Sequence, residues 1–144
     1  MPSFTNQVSN LDEIGPILEI SVGPTSKLKQ VLTRHGKPVP APQRVIAMID
    51  TGAAKTLLTP SVIQALGLSP VGATKISTPT TVEPVLVRQF DVSLVLPDEV
   101  GVESAICVEA PLGGQPIQCL IGRDILQHGV LVYIGYANQF TLSF

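Results

Sequence analysis

Residues 44–52 read Arg44-Val45-Ile46-Ala47-Met48-Ile49-Asp50-Thr51-Gly52. The mainly apolar run before Asp50 has no polar face, which predicts a strand buried on both sides. A carboxylate at the end of such a strand incurs a desolvation cost unless it is hydrogen-bonded or protonated. Asp50 is therefore a candidate functional residue, although Asp-Thr-Gly is also common turn chemistry and a tripeptide can match by chance.

The composition limits the classes of protein to which the chain can belong. A length of 144 residues suits one domain. Hydrophobic residues make up 44% of the chain and charged residues 14%, a balance that excludes disorder for most of it. The net charge of −2 argues against a nucleic-acid partner, because phosphate binding requires a basic surface.

The N-terminus and the apolar segments give expectations about location. The first residues have neither the basic nor the apolar region of a signal peptide, and no run of 18 or more residues is uniformly apolar. We therefore expect a cytoplasmic protein with no membrane partner, and the sequence leaves open its release from a larger precursor.

Cys107 and Cys119 are the two cysteines of the chain. They are too few for a disulfide framework and form no zinc-type pair, so we expect buried thiols in a reduced compartment, with no metal and no cofactor. A catalytic pair of Cys119 with His128 is conceivable. Its weakness is that Cys119 lies within an apolar run, whereas a reactive cysteine needs an exposed, electropositive setting.

The pattern of short apolar runs, Gly and Pro predicts an all-β or β-rich barrel with one or two short helices. Residues 1–15 are polar and irregular, so we expect a flexible N-terminal arm before a domain spanning 16–144. One helix is expected from Pro60, with Thr59 as its cap and Gly67 just past its end.

The sequence also gives secondary-structure expectations for four other segments, one of which has two alternatives. Residues 27–34 could form a strand or a helical turn, and the basic side chains around them are expected to be a solvated face, with binding of an acidic partner as a minor alternative. Residues 74–96 predict a long hairpin whose returning strand alternates apolar and polar side chains. Gly113-Gly114 is expected to be a second hairpin turn, leading to a strand over 117–121. One or two helical turns are expected over 123–128.

A second motif supports a functional interpretation of the stretch around Asp50. Cys119-Leu120-Ile121-Gly122-Arg123-Asp124-Ile125-Leu126 combines apolar residues, a glycine and a short helix. With Met48-Ile49-Asp50-Thr51-Gly52-Ala53 before it, the chain resembles the retropepsin-like aspartic proteases, which include the retroviral enzymes. Three further segments match the family in the right order: Thr56-Leu57-Leu58, Val87-Arg88-Gln89-Phe90-Asp91 and Phe140-Thr141-Leu142-Ser143-Phe144.

The resemblance implies a specific architecture and reaction. Each chain would form one lobe of a retropepsin-like barrel, and two chains would assemble as a homodimer that brings both copies of Asp50 together. A water activated between the two carboxylates would hydrolyse a bond of a peptide or protein substrate. A catalytically inactive peptide-binding or dimerisation module is the alternative, since a fold does not guarantee activity.

The resemblance also assigns residue roles. It implies that the catalytic turn consists of Asp50, Thr51 and Gly52. It implies substrate contacts from Gly52, Ala53, Ala54, Ile76, Ser77, Val82 and Leu120. It implies support of the active site by Ile121, Gly122, Arg123 and Asp124. Leu120 and Ile121 could equally be ordinary core residues, and residues 76–84, which would form the substrate-covering flap, could equally be an exposed hairpin.

The chain departs from the family in places. Many viral members have acidic residues where Ala54 and Lys55 stand, so Arg123 lacks its usual carboxylate partner unless Asp124 or another acid replaces it. The flap lacks the glycines of the viral tip and contains two prolines, so we expect restricted closure. We also expect the terminal strand and part of the arm to pair with the partner subunit, which would cover Phe140 and Leu142.

Overall fold

The computed structural model describes residues 2–78 and 82–144. The first half contains β1 (Ser3–Gln7), α1 (Leu11–Ile14), β2 (Ile17–Gly23), α2 (Ser26–Arg34), β3 (Gln43–Ile49), β4 (Leu57–Leu58) and α3 (Pro60–Leu66). The second half contains β5 (Gly72–Ile76), β6 (Val85–Leu96), β7 (Val100–Glu109), β8 (Cys119–Ile121), α4 (Arg123–Leu126), β9 (Val130–Ile134) and β10 (Gln139–Ser143). The described helices are short, but they are more numerous than the one or two expected.

A closed barrel organises most of the strands. The larger sheet has the order β2-β3-β8-β4-β7-β6-β5, and β2 also pairs with β6. That additional pairing closes the ring and leaves β5 outside it, bonded to β6 alone. The predicted all-β barrel of a single lobe is therefore confirmed. No helix in the described ranges is long and apolar enough to cross a membrane.

Alternating burial along the strands supplies the core. In β6 the buried side chains are Val87, Phe90, Val92, Leu94 and Leu96, which follow the predicted period of two over most of the strand. In β3 the burial also alternates, because Ile46 and Met48 are only half-buried. The expectation that β3 is buried on both faces was therefore wrong, and the apolar run covers one face more fully than the other.

The N-terminal residues are part of the folded lobe. β1 pairs antiparallel with β10, which pairs in turn with β9, giving a separate three-stranded sheet. Phe4 is 2% exposed, and its ring meets Phe140 edge-on at a centroid distance of 6.5 Å. Leu11 is fully buried. The expected flexible arm over residues 1–15 is therefore wrong for β1 and α1, because apolar anchors fix them to the barrel.

The same sheet contradicts the expectation that a partner subunit covers the C-terminal strand. β10 has a neighbour from its own chain on each side, and Phe140 and Leu142 are completely buried within one chain. A partner subunit is thus not needed to cover these two side chains. The expectation was wrong because the sequence does not show that β1 and β9 occupy both edges of β10.

Four local predictions also have definite outcomes. Residues 26–34 form a helix, in which Thr25 Oγ1 accepts a hydrogen bond from Leu28 N at 3.2 Å. The helix over Pro60–Leu66 is confirmed, with Gly67 following at a φ of 61°. Gly113-Gly114 does not join a hairpin, because β8 pairs with β3 and β4 instead of with β7. The short helix after Gly122 is confirmed.

We predict that Phe4→Ala lowers the free energy of unfolding by about 3–5 kcal/mol, because it removes a buried aromatic side chain from the contact with β10. Urea unfolding of the two proteins measures the difference. Ser3→Ala is the matched control at an exposed position of β1, with an expected change within about 0.5 kcal/mol. Equal stability of Phe4→Ala and wild type would show that β1 is a loose arm after all.

Candidate active site

The Asp50 turn begins where β3 ends, and its conformation is fixed by backbone hydrogen bonds. Asp50 N donates to Ile121 O at 2.9 Å, and Ala53 N donates to Asp50 O at 3.1 Å. The Asp50 carboxylate is half-buried and accepts a hydrogen bond from Gly52 N at 2.9 Å. A Cβ on Gly52 would lie 3.1 Å from that carboxylate oxygen, so a side chain here would crowd the carboxylate.

The segment after β8 packs directly beneath this turn. β3 and β8 are parallel neighbours and end at the same edge of the sheet, with Ile49 opposite Ile121. A Cβ on Gly122 would lie 2.7 Å from the carbonyl carbon and oxygen of Lys55. Only glycine allows the two loops to approach so closely, which accounts for this residue between the apolar pair and α4.

Thr56 connects the two loops from a buried position, and it is a residue whose support of the site sequence reasoning missed. Its side chain is fully buried and donates to Asp124 Oδ1 at 2.8 Å, while Oγ1 accepts from Gly122 N at 3.1 Å. Thr56 N donates to Asp124 Oδ2 at 2.9 Å. The available signal was a hydroxyl residue beside two leucines in a return strand, because a buried hydroxyl needs hydrogen-bond partners.

Arg123 reaches the Asp50 turn through a backbone carbonyl. Its Nη1 donates to Thr51 O at 2.8 Å, and its main-chain N donates to Ala53 O at 2.8 Å. Asp124 instead directs its carboxylate to Thr56. The question of what replaces the viral carboxylate partner of Arg123 thus has a structural answer, which is the carbonyl of the residue next to Asp50.

A groove of about 640 Å³ runs between the Asp50 turn and β5. The predicted site residues that line it are Asp50, Gly52, Ala53, Ala54, Ile76, Ser77 and Leu120. Sequence reasoning did not assign to it the further lining residues Lys55, Leu57, Thr74, Lys75, Thr78 and Val108. These side chains come from the turn, from β4, β5 and β7, and from the segment after β5, so only the fold brings them together.

Other predicted residues lie elsewhere. Val82 is fully exposed and does not line the groove. Thr51 is exposed beside the groove. Residues 79–81 of the predicted flap lie outside the described residues. Within the described ranges, no group of three or more His, Cys, Asp or Glu side chains is arranged to hold a metal ion.

Comparison with known proteins gives the family of the chain. A family model described as aspartyl protease matches residues 35–125, which include both loops of the site. The chain belongs to the aspartyl protease family.

A solved structure extends the likeness to the fold. The retropepsin-like aspartic protease from Rickettsia conorii is similar to this aspartyl protease chain, with a TM-score of 0.52 and 14% sequence identity. The match covers 99% of this chain and 94% of that one. The retropepsin-like fold of the chain is thereby shown. No curated protein matches the chain.

The cysteines of this aspartyl protease are not suited to nucleophilic chemistry. Both are fully buried, and burial is the main cause that raises the pKa of the Cys107 thiol well above its usual value. Burial, followed by the charge of Asp124, raises the pKa of Cys119 to about 12. His128 is exposed whereas Cys119 is not. The pairing of Cys119 with His128 as a catalytic unit is therefore inconsistent with the structure, because a nucleophile must be an accessible thiolate.

We predict that Thr56→Val lowers the free energy of unfolding by about 1–3 kcal/mol, because Gly122 N and the Asp124 carboxylate each lose a buried partner. Thr56→Ser keeps the hydroxyl and is the matched control, so it should retain most of the stability. Chemical unfolding of the three proteins provides the measurement. If Thr56→Val and wild type proved equally stable, the hydroxyl would not be what joins the loops.

Proposed function

We propose that this chain is a homodimeric aspartic endopeptidase to which each subunit contributes one Asp50. The observation that carries the proposal is the position of this carboxylate in a largely apolar groove, on a turn whose backbone is hydrogen-bonded to residues 121–123. Membership of the aspartyl protease family supports the reaction class. A single Asp-Thr-Gly motif in one lobe supports the need for a second copy of the chain.

The proposed reaction uses two carboxylates that share a proton. Two copies of Asp50 at hydrogen-bond distance cannot both ionise, so one is protonated while the other is charged. The charged carboxylate takes a proton from a bound water, which attacks the peptide carbonyl carbon as the protonated carboxyl polarises its oxygen. The leaving amine is then protonated as the carbon–nitrogen bond breaks. The apparent pKa values belong to the pair, not to either subunit.

The neighbouring residues have positioning and binding roles in this proposal. Thr51 lies exposed beside the carboxylate, where its hydroxyl could meet the same residue of a second subunit across a two-fold axis. Gly52 would offer its carbonyl to a substrate N–H, and Ala53 and Ala54 would flank the substrate backbone. The groove-lining side chains Ile76, Ser77 and Leu120 would contact substrate side chains. Val82 would contribute only if the hairpin closed over the substrate.

We predict that Asp50→Asn lowers kcat/KM about 100-fold to 10,000-fold, because the amide cannot act as the general base. Wild type and variant are incubated with one peptide pool between about pH 4 and pH 7, and the cleavage products are identified by mass spectrometry. The products should require Asp50 and should disappear with a pepstatin-type inhibitor, which resembles the tetrahedral intermediate. Matched products from both proteins, or none from either, would favour the inactive binding or dimerisation module.

A mixing experiment tests the shared dyad within this proposal. Adding an equal amount of Asp50→Asn subunits to wild type and allowing exchange should lower the activity to about half, because random pairing consumes wild-type subunits in mixed dimers. If each chain were active alone, the activity would not change. Bovine serum albumin added at the same mass controls for crowding and for loss of enzyme by adsorption to the vessel.

A further inference from the structure

The candidate groove carries more positive than negative charge at its surface. Lys55 and Lys75 both line it, and Asp50 supplies the one carboxylate among the described lining residues. Lys55 belongs to the loop that follows the Asp50 turn, whereas Lys75 lies on β5, which forms another wall. An extended peptide lying in this groove therefore passes close to two ammonium groups from different elements.

These ammonium groups are not neutralised by acidic side chains of the described chain. Across residues 2–78 and 82–144, the ion pairs join Arg44 to Glu19 and Arg88 to Glu109, and neither groove lysine takes part. Asp124 lies near the same loop, but both of its carboxylate oxygens accept hydrogen bonds from Thr56. Both lysines are exposed, so they remain available to a charge on a bound molecule.

The rest of the groove is mostly apolar. Leu57, Ile76, Val108 and Leu120 line it together with the two alanines after Gly52. Apolar walls take up apolar side chains, because burial removes their surface from water. The groove thus combines surfaces for apolar side chains with two cationic positions.

We propose that Lys55 and Lys75 select substrates that carry an acidic side chain close to the scissile bond, beside apolar residues. This inference rests on the proposed function, since it assigns the substrate class of the same groove. A Glu or Asp side chain gains an attractive charge interaction there, and a Lys or Arg side chain is repelled, so selection acts in both directions. Because both lysines are exposed, the effect is moderate and weakens with salt.

The test separates binding from hydrolysis. Decapeptides with two central leucines, flanked on each side by Glu, by Gln or by Lys, are titrated into Asp50→Asn protein at low ionic strength. We expect the Glu peptide to bind about threefold to tenfold more tightly than the Gln peptide, and the Lys peptide to bind more weakly. In protein that also carries Lys55→Gln and Lys75→Gln, the preference should disappear. Lys29→Gln, an exposed charge change on α2 outside the groove, should leave it intact.

The same peptides are then offered to protein that retains Asp50, and kcat/KM for the Glu, Gln and Lys peptides is compared between wild type and the lysine variants. Protein that carries both Lys55→Glu and Lys75→Glu should reverse the order and favour the Lys peptide. Equal affinity for the three peptides, binding by none of them, or a preference that survives removal of both lysines would overturn the inference. Charge-selective binding without hydrolysis by wild type would support the inference and contradict the proposed endopeptidase, so the two failures are distinguishable.

Discussion

The backbone contact between the Asp50 turn and residues 121–123 is the constraint on which the site depends. Asp50 N and Arg123 N each donate across it, and the absence of a side chain on Gly122 lets the two loops touch. β3 and β8 end side by side because they are parallel neighbours, so the barrel itself delivers both loops to one edge. A rigid carboxylate position within one chain is what a shared catalytic pair would require, since preorganised groups need no rearrangement when the substrate arrives.

The charged side chains beside this contact form hydrogen bonds within the two loops. Asp124 is held by a buried threonine and helps to fix the loops, whereas Arg123 is held by a carbonyl of the turn. Asp124 and Arg123 therefore stabilise the two loops and do not line the groove. This leaves the Asp50 carboxylate as the one acid among the described groove residues, with two lysines at the groove surface as the distinctive charges of this chain.

Sequence reasoning reached the barrel and two of the helices because each depends on a local signal, whereas the groove residues it named came from the family resemblance. The apolar run before Asp50, the caps of α3 and the alternation in β6 are all readable within one window of sequence. It failed for β1 and for which strands cover Phe140, because strand pairing over such a separation leaves no mark in either segment. It also missed the hydrogen bonds of the buried Thr56 and the presence of Lys55 and Lys75 in one groove, which arise only when separate elements meet.

The measurement that tests the central claim most directly is the separation of the two Asp50 carboxylates in a crystal structure of the protein bound to a pepstatin-type inhibitor. The account predicts one inhibitor molecule at a two-fold axis, with the carboxylates at hydrogen-bond distance, about 3 Å apart. An assembly in which the two Asp50 turns face away from each other, with the inhibitor on a single chain or absent, would contradict it.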